Sequence, residues 1–470
     1  MRNQQGKGNL KEKRGYVQMS KQSSAMLMTE GPIAKLIVRF ALPVFWGNLF
    51  QQLYNIVDSL IVGNFAGDEA LAAVSSSGSL IFMITGFLLG VFSGASVVIS
   101  QYYGAEDKED VQKALHTTIA FALVSGLVLS IIGIFLSGQI LRWMDTPKNV
   151  LPNSTTYFRI FFCGSVFSTV YNAGAGVFQA VGDSKHPLYY LIISSFTNVV
   201  LDLIFVGVLH FGVAGAATAT IMSQCLSSFL VIRRLAVSEE TFRLHFGKLR
   251  IHGCMLKKIL RMGIPSGIQN SVIGFANIIV QTNINAFGDV AMAGCGSYSK
   301  LEGFAFLPVT SFAMALTTFV GQNIGAGRLD RAKKGARFGA IACALSAEVI
   351  GVIMFLGMPV FLRAFSQNPA ILDIGTRQAH IECLFFCVLA FSHACAGVMR
   401  GAGKAVVPMA VMLIFWCVVR VTYITIVTRL LPQIEVIFWA YPMTWSLSSI
   451  TFAIYLISGR WLKTKKIQEA

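Results

Sequence analysis

Residues 39–63 read RFALPVFWGNLFQQLYNIVDSLIVG, and residues 261–285 read RMGIPSGIQNSVIGFANIIVQTNIN. Arg39, Pro43, Asn48 and Asn55 recur 222 positions later as Arg261, Pro265, Asn270 and Asn277. After a single-residue shift the separation becomes 221: Phe65-Ala66-Gly67-Asp68 faces Ala286-Phe287-Gly288-Asp289, and Gln101-Tyr-Tyr-Gly104-Ala105 faces Gln322-Asn-Ile-Gly325-Ala326. Leu141-Arg142 then matches Leu362-Arg363, while Gly176, Gly182 and Pro187 match Gly397, Gly403 and Pro408. Two greasy sequences align Leu with Leu by chance. They do not by chance keep Pro, Asn, Gln and Gly in register, so the chain reads as an internal repeat.

Each copy is assembled from apolar stretches. Of 470 residues, 54% are hydrophobic and only 13% charged, whereas a soluble domain carries about a quarter of its residues as charges. Lipid must stand where that charge is missing. Stretches able to cross about 30 Å of hydrocarbon recur at residues 34–62, 70–101, 114–137, 156–181, 187–207, 213–232, 257–285, 291–321, 337–357, 376–399, 405–428 and 434–458. The expected fold is an all-α polytopic membrane protein of twelve transmembrane helices in two six-helix lobes. An even number of spans per copy brings both copies in from the same side, so they are parallel repeats related by an axis along the membrane normal.

Basic residues orient the chain. The tails and links on one side of the predicted spans carry most of the Lys and Arg found outside them, and the opposite links hold four. Both termini are therefore expected in the cytoplasm. The organisation reads as a cytoplasmic tail over 1–32, an N-lobe over 33–232, a cytoplasmic linker over 233–256, a C-lobe over 257–458 and a second tail over 459–470. The net charge of +16 is then explained by anionic headgroups beside these links rather than by nucleic acid. The nine cysteines lie mostly inside apolar stretches without CxxC pairing and read as small core residues. Gly401-Ala-Gly403-Lys404 is too short for a phosphate loop, and the counterpart Ala180-Val-Gly182-Asp183 has no lysine. It reads as a turn, and no enzyme is expected.

Function should lie where the bilayer penalises the sequence. Asp58 stands in the first span, and Asn198 and Asp202 stand four apart, on one face of the fifth. A carboxylate facing lipid is costly, so these groups should turn inward and find a cation, a proton or a donor. Two carboxylates and a carboxamide, with the hydroxyl of Thr220 in the sixth span, form either a small hard-cation site of oxygen ligands or a proton-binding pair. Structural hydrogen bonding alone is the competing reading. The second copy lacks the acids: Asp58 falls on Val280, Asn198 on Val419 and Asp202 on Tyr423. Coupling is therefore expected in the N-lobe alone. The second copy carries Lys300, Glu302, Glu382, His393 and Arg420 instead, as paired structural charges or as a second ion or substrate site. Asn48 and Asn55, with Asn270 and Asn277, line a pathway or join helices.

The combination of motifs is similar to the multidrug and toxic compound extrusion (MATE) family of transporters. The resemblance rests on Leu42-Pro43 through Asn55-Ile-Val-Asp58-Ser-Leu-Ile-Val-Gly63, Gln101-x-x-Gly104-Ala105, and Phe178-Gln-Ala-Val-Gly182-Asp183-Ser184. In the second copy it rests on Leu307-Pro308, Gln322-x-x-Gly325-Ala326-Gly327 and Met399-Arg400-Gly401-Ala-Gly403. It covers residues 33–458 and implies a V-shaped pair of lobes exporting organic cations, dyes and antibiotics by Na⁺ or H⁺ antiport. The resemblance implies that the N-lobe cation site is Asp58, Asn198, Asp202 and Thr220, which would be the metal ligands in a Na⁺-coupled protein. A C-lobe mechanism used by another branch requires acids where Ile273 and Leu389 stand here.

The expected function is secondary active efflux of small cationic or amphipathic compounds from the cell membrane. Na⁺ or H⁺ would be the coupling ion, with no cofactor, no nucleic acid, no obligatory protein partner and lipid as the surroundings. The alternatives are a flippase for lipid-linked saccharide precursors, which Lys300 and Arg420 would suit, and a non-transporting membrane receptor or scaffold.

Overall fold

The computed structural model is described over residues 25–143 and 150–462, without the side chains of 68–69, 71–73, 75–80, 82–83 and 240. The tail residues 1–24 and 463–470 lie outside that range. In lipid a backbone N–H has no water to turn to, so a spanning segment must satisfy itself as a helix. The described secondary structure is correspondingly all helical.

The first half holds α1 (Ile33–Ala66), α2 (Asp68–Gly104), α3 (Lys108–Trp143), α4 (Leu151–Cys163), α5 (Ser165–Ala180), α6 (Lys185–Asp202) and α7 (Gly212–Ala236). The second holds α8 (Gly253–Asn285), α9 (Asp289–Gly325), α10 (Leu329–Phe361), α11 (Pro369–Glu382), α12 (Phe386–Gly401), α13 (Val406–Met412), α14 (Arg420–Leu430) and α15 (Glu435–Ile457). Nine described helical segments are long and apolar enough to cross a membrane, ten if the bent pair α4 and α5 forms one span. That pair breaks by 50° at Gly164. The long rods exceed the expected spans: α3 runs for 36 residues, about 54 Å at 1.5 Å per residue, so its charged first turns stand beyond the hydrocarbon.

Two π-helical turns interrupt the repeat. Leu203–Val208 follows Asp202, and Leu413–Val419 leads directly into Arg420. A π turn holds an extra residue and re-aims the helix face beyond it, which is why such turns gather at functional side chains. Neither is marked by proline or glycine pairs in the sequence.

The halves meet through α2 against α8 and α1 against α9. Backbones touch where Gly90 and Gly94 cross Gly263 and Gly267; a Cβ at any of the four would strike the facing helix, the close packing that small residues permit in membranes. Asn48 Nδ2 donates to Thr310 Oγ1 (3.1 Å) and its repeat partner Asn270 donates to the Gly86 carbonyl (3.1 Å). These two asparagines join helices across the halves.

At the end carrying the 233–252 linker, the repeat closes on itself. Gln101 Nε2 donates to the Gly401 carbonyl (2.9 Å), and Gln322 Nε2 donates to the Ala180 carbonyl (2.8 Å). Donors and acceptors are both separated by 221 positions, so one bond is the repeat image of the other. The acceptor carbonyls lie just before Gly182 (φ +85°) and Gly403 (φ +76°), whose positive φ ends each helix in a tight turn. An N-terminal strap reinforces the closure: Met28 N–H donates to Gln322 Oε1 (2.7 Å), and Asn323 Nδ2 donates to the Met28 carbonyl (3.2 Å).

Candidate functional site

Helices α1, α4, α6 and α7 pack together in the first half and bring Asp58, Asn198, Asp202 and Thr220 into one place. Asp202 is fully buried, Asn198 and Thr220 are buried, and Asp58 is half-buried. Asn198 and Asp202 share a face because four residues span about one helical turn. With its carboxamide nitrogen toward the acid, Asn198 donates to Asp202 Oδ2 (2.9 Å), and its oxygen accepts from the Thr220 N–H (3.2 Å). Asn198 thus ties α6 to α7 while orienting Asp202. The hydroxyl of Thr220 donates to the Ala216 carbonyl (3.0 Å), leaving its oxygen lone pairs facing the site.

The carboxyl groups of Asp58 and Asp202 approach each other across α1 and α6. Two carboxyls so placed favour one proton between them, because two ionised groups there repel. Asp58 Oδ1 and Asp202 Oδ1 are both buried without a partner. An orphaned carboxylate oxygen in a dry bundle costs free energy unless something supplies a positive charge or a proton. Two close acids with unpartnered oxygens suit a shared proton, and acidic oxygens with nearby hydroxyls also suit a small hard cation. Among the described residues, no group of three or more His, Cys, Asp or Glu forms a metal cluster.

Two tyrosines complete the site, and the sequence reading did not assign them. Tyr54 lies close to Thr220 and to both acids; its position one turn before Asp58 on α1 was available as a signal. Tyr157, on α4, also neighbours both acids and could be found only from the tertiary fold. An apolar cluster including Ile61, Val62, Tyr157, Val206 and Val213 packs alongside, which keeps the local dielectric low and makes a charge change here consequential.

The remaining candidates divide: Asn55, Asn277 and Lys300 stand apart, whereas Glu302, Glu382 and Arg420 share one neighbourhood of the second half. Asn55 and Asn277 are exposed on α1 and α8. Lys300 is exposed, with Nζ 5.7 Å from the Phe365 ring centre. Glu302, two residues on, points instead into the electrostatic neighbourhood of Arg420 and Glu382. Glu382 accepts from Tyr298 Oη (3.1 Å) and Gln378 Nε2 (3.0 Å). His393 lies between the Phe306 and Trp416 rings, at 5.8 and 5.3 Å. Arg420 is buried, and both Nε and Nη2 donate to Thr444 Oγ1 (3.1 and 2.8 Å).

The MatE family model matches this chain twice, at residues 43–204 and 265–425. The two matches begin 222 and end 221 positions apart, the offsets of the internal repeat. The chain is 29% identical over 445 residues to the probable multidrug resistance protein YpnP of Bacillus subtilis (strain 168), covering 94% of this chain and 98% of that one. It is 30% identical over 381 residues to the probable multidrug resistance protein YoeA of the same organism, covering 79% and 82%. A solved outward-facing structure of a multidrug resistance MATE family transporter of the MOP superfamily superposes with a TM-score of 0.88 at 22% identity, covering 93% of this chain and 98% of that one.

Proposed function

The chain belongs to the MatE family, and from that premise we propose that it exports small cationic or amphipathic organic compounds across the cell membrane, driven by cation exchange at Asp58 and Asp202. The observation carrying this reading is the buried carboxyl pair with two orphaned oxygens, held by Asn198 and neighboured by Thr220, Tyr54 and Tyr157. The names of YpnP and YoeA, both probable multidrug resistance proteins, support the substrate class. Their similarity along most of the chain supports carrying it over.

In this reading the twelve spans form an N-lobe over 33–232 and a C-lobe over 257–458, joined by the 233–256 linker, with both termini cytoplasmic. The paired glutamine bonds then seal the cytoplasmic end, and the cavity between the lobes opens outward. A cation arriving from outside neutralises the acid pair and favours the form that releases substrate outside. Its departure inward favours capture of the next substrate from the cytoplasm or inner leaflet. Cation and substrate need only prefer opposite conformations; direct contact between them is unnecessary. The close approach of the two carboxyls, which disfavours ionising both, favours H⁺ as the coupling ion.

Purified protein in liposomes tests this with Na⁺ and pH gradients imposed separately, and with an organic cation and a lipid-linked saccharide offered in turn. Export of the organic cation driven by the pH gradient alone is expected. Export that survives collapse of the pH gradient and follows Na⁺ would reassign the ion, and movement of only the lipid-linked substrate would replace the export reading.

A further inference from the structure

The second half preserves the location of the cation site while replacing its chemistry. The repeat images of Asp58, Asp202 and Thr220 are Val280, Tyr423 and Tyr441, and these three pack in one cluster. The repeat therefore builds the same enclosure twice. In the second enclosure the centre of the Arg420 guanidinium lies 4.3 Å from the Tyr441 ring centre and 5.0 Å from that of Trp416. Arg420 is only 2% exposed. Its two nitrogens converge on Thr444 Oγ1, and that hydroxyl in turn donates to the Ala440 carbonyl (2.8 Å).

A guanidinium does not give up its proton in a protein, and its planar face stacks on aromatic rings, whereas an ammonium is held there by its charge alone. Its counter-charges are Glu302 and Glu382, the acids within electrostatic reach. Among the described residues no carboxylate oxygen lies within 4.0 Å of the guanidinium. A positive charge placed among rings and one hydroxyl, with its acids standing off, behaves as an ion in a cage rather than as half of a salt bridge. The π turn Leu413–Val419 ends immediately before Arg420.

We infer that Arg420 is a tethered, non-exchangeable cation occupying the C-lobe counterpart of the N-lobe cation site. It supplies the C-lobe enclosure with a fixed positive charge opposite Glu302 and Glu382, so that the exchangeable cation acts at the N-lobe site. This inference rests on reading Asp58 and Asp202 as the exchangeable site. The lobes then share a geometry but differ in how the cation is supplied: one takes it from solution, the other carries it on the chain.

Removing the tether should leave a cage that accepts the free ion. Arg420→Ala is expected to lose thermal stability and organic-cation export, and millimolar guanidinium chloride should restore both several-fold, while equal NaCl or urea restores neither. Equal responses to the three additives, or wild-type behaviour without any of them, would overturn the proposal. If Arg420→Ala does not accumulate, Arg420→Lys serves in its place. It keeps the charge and loses the two-pronged contact with Thr444, so export about tenfold below wild type is expected. Export by Arg420→Lys no better than by Arg420→Met would refute a role for the charge. The stability measurement is independent of transport: guanidinium-specific stabilisation of Arg420→Ala alongside normal coupling in Asp58→Asn would reject the N-lobe reading and leave the caged ion standing.

Discussion

The first enclosure of this protein, at Asp58 and Asp202, and the second, at Val280 and Tyr423, descend through the same register of 222 and 221 positions yet answer opposite electrostatic problems. In the first, two acids press together and two of their oxygens lack partners. In the second, an apolar and aromatic wall surrounds a guanidinium that is bonded and enclosed. One is deficient in positive charge and responds to what the solution offers; the other is supplied. On the proposed reading, a duplicated bundle thus acquires one exchanging site and one fixed charge without changing its fold. The linker-end closure is where the halves remain alike, each donating one glutamine to the other's turn.

The largest break in this comparison should come from Asp202. Asp202→Asn is expected to lower gradient-driven export about a hundredfold, the upper range of coupling energies of about 1–3 kcal/mol, with folding retained. Asp58, half-buried, should follow with a loss of about tenfold. Initial rates in liposomes under an imposed pH gradient measure both, and a normal rate in Asp202→Asn would contradict the asymmetry. Next comes the shared feature: Gln101→Ala with Gln322→Ala should weaken the linker-end seal by about 1–3 kcal/mol in total. Spin-label distances between the ends of α2 and α9 should lengthen, with similar contributions from each single variant. A response to only one of them would show that the seal is not a repeat pair.

Tyr54→Phe sharpens the first enclosure further. Its repeat image is Ala276, so the hydroxyl beside Thr220 and the acids has no second copy. Its loss should cost about 1 kcal/mol, seen as a shift of about 0.7 unit in the external pH giving half-maximal export. An unchanged pH profile would remove Tyr54 from the site.

The smallest effect concerns the linker, which docks on the first half. Arg250 Nε donates to His252 Nε2 (2.9 Å), and the His252 N–H donates to Thr117 Oγ1 (3.2 Å). Burial, then the charge of Arg250, holds His252 below its ordinary value of 6.5. The folded arrangement keeps the ring neutral, so its contribution is present above about pH 6.5 and fades as pH falls through the lowered value. Protection factors of residues 243–252, which divide out the intrinsic pH dependence of exchange, should therefore fall modestly on acidification in the wild type and fall less in His252→Gln. Identical pH dependence in the two proteins would contradict this.

Much of this was legible because a bilayer makes exceptions conspicuous. Asp58 and Asp202 interrupt apolar runs, and the Pro, Asn, Gln and Gly register exposed the repeat. Their common location required only that costly groups seek each other. Other features depend on which neighbour a helix face meets. Asn48 and Asn270 could have lined a pathway or joined helices, and only the crossing of α1 with α9 and of α2 with α8 places them on Thr310 and the Gly86 carbonyl. Tyr157 reaches the acids from a helix bent away at Gly164. The π turns beside Asp202 and Arg420 carry no local signature, so they were hidden. Lys300 and Glu302, two residues apart, turn to different partners as the helix period requires.

The account stands or falls on whether the acid pair holds the ion that substrate drives off. The purified transporter, in weakly buffered detergent solution, can be given tetraphenylphosphonium while pH is followed with an electrode. The wild type should release about one proton per molecule as it binds the organic cation, by the reciprocity of linked sites, and Asp58→Asn/Asp202→Asn should bind it and release none. The same proton release from the double variant as from the wild type would contradict the account.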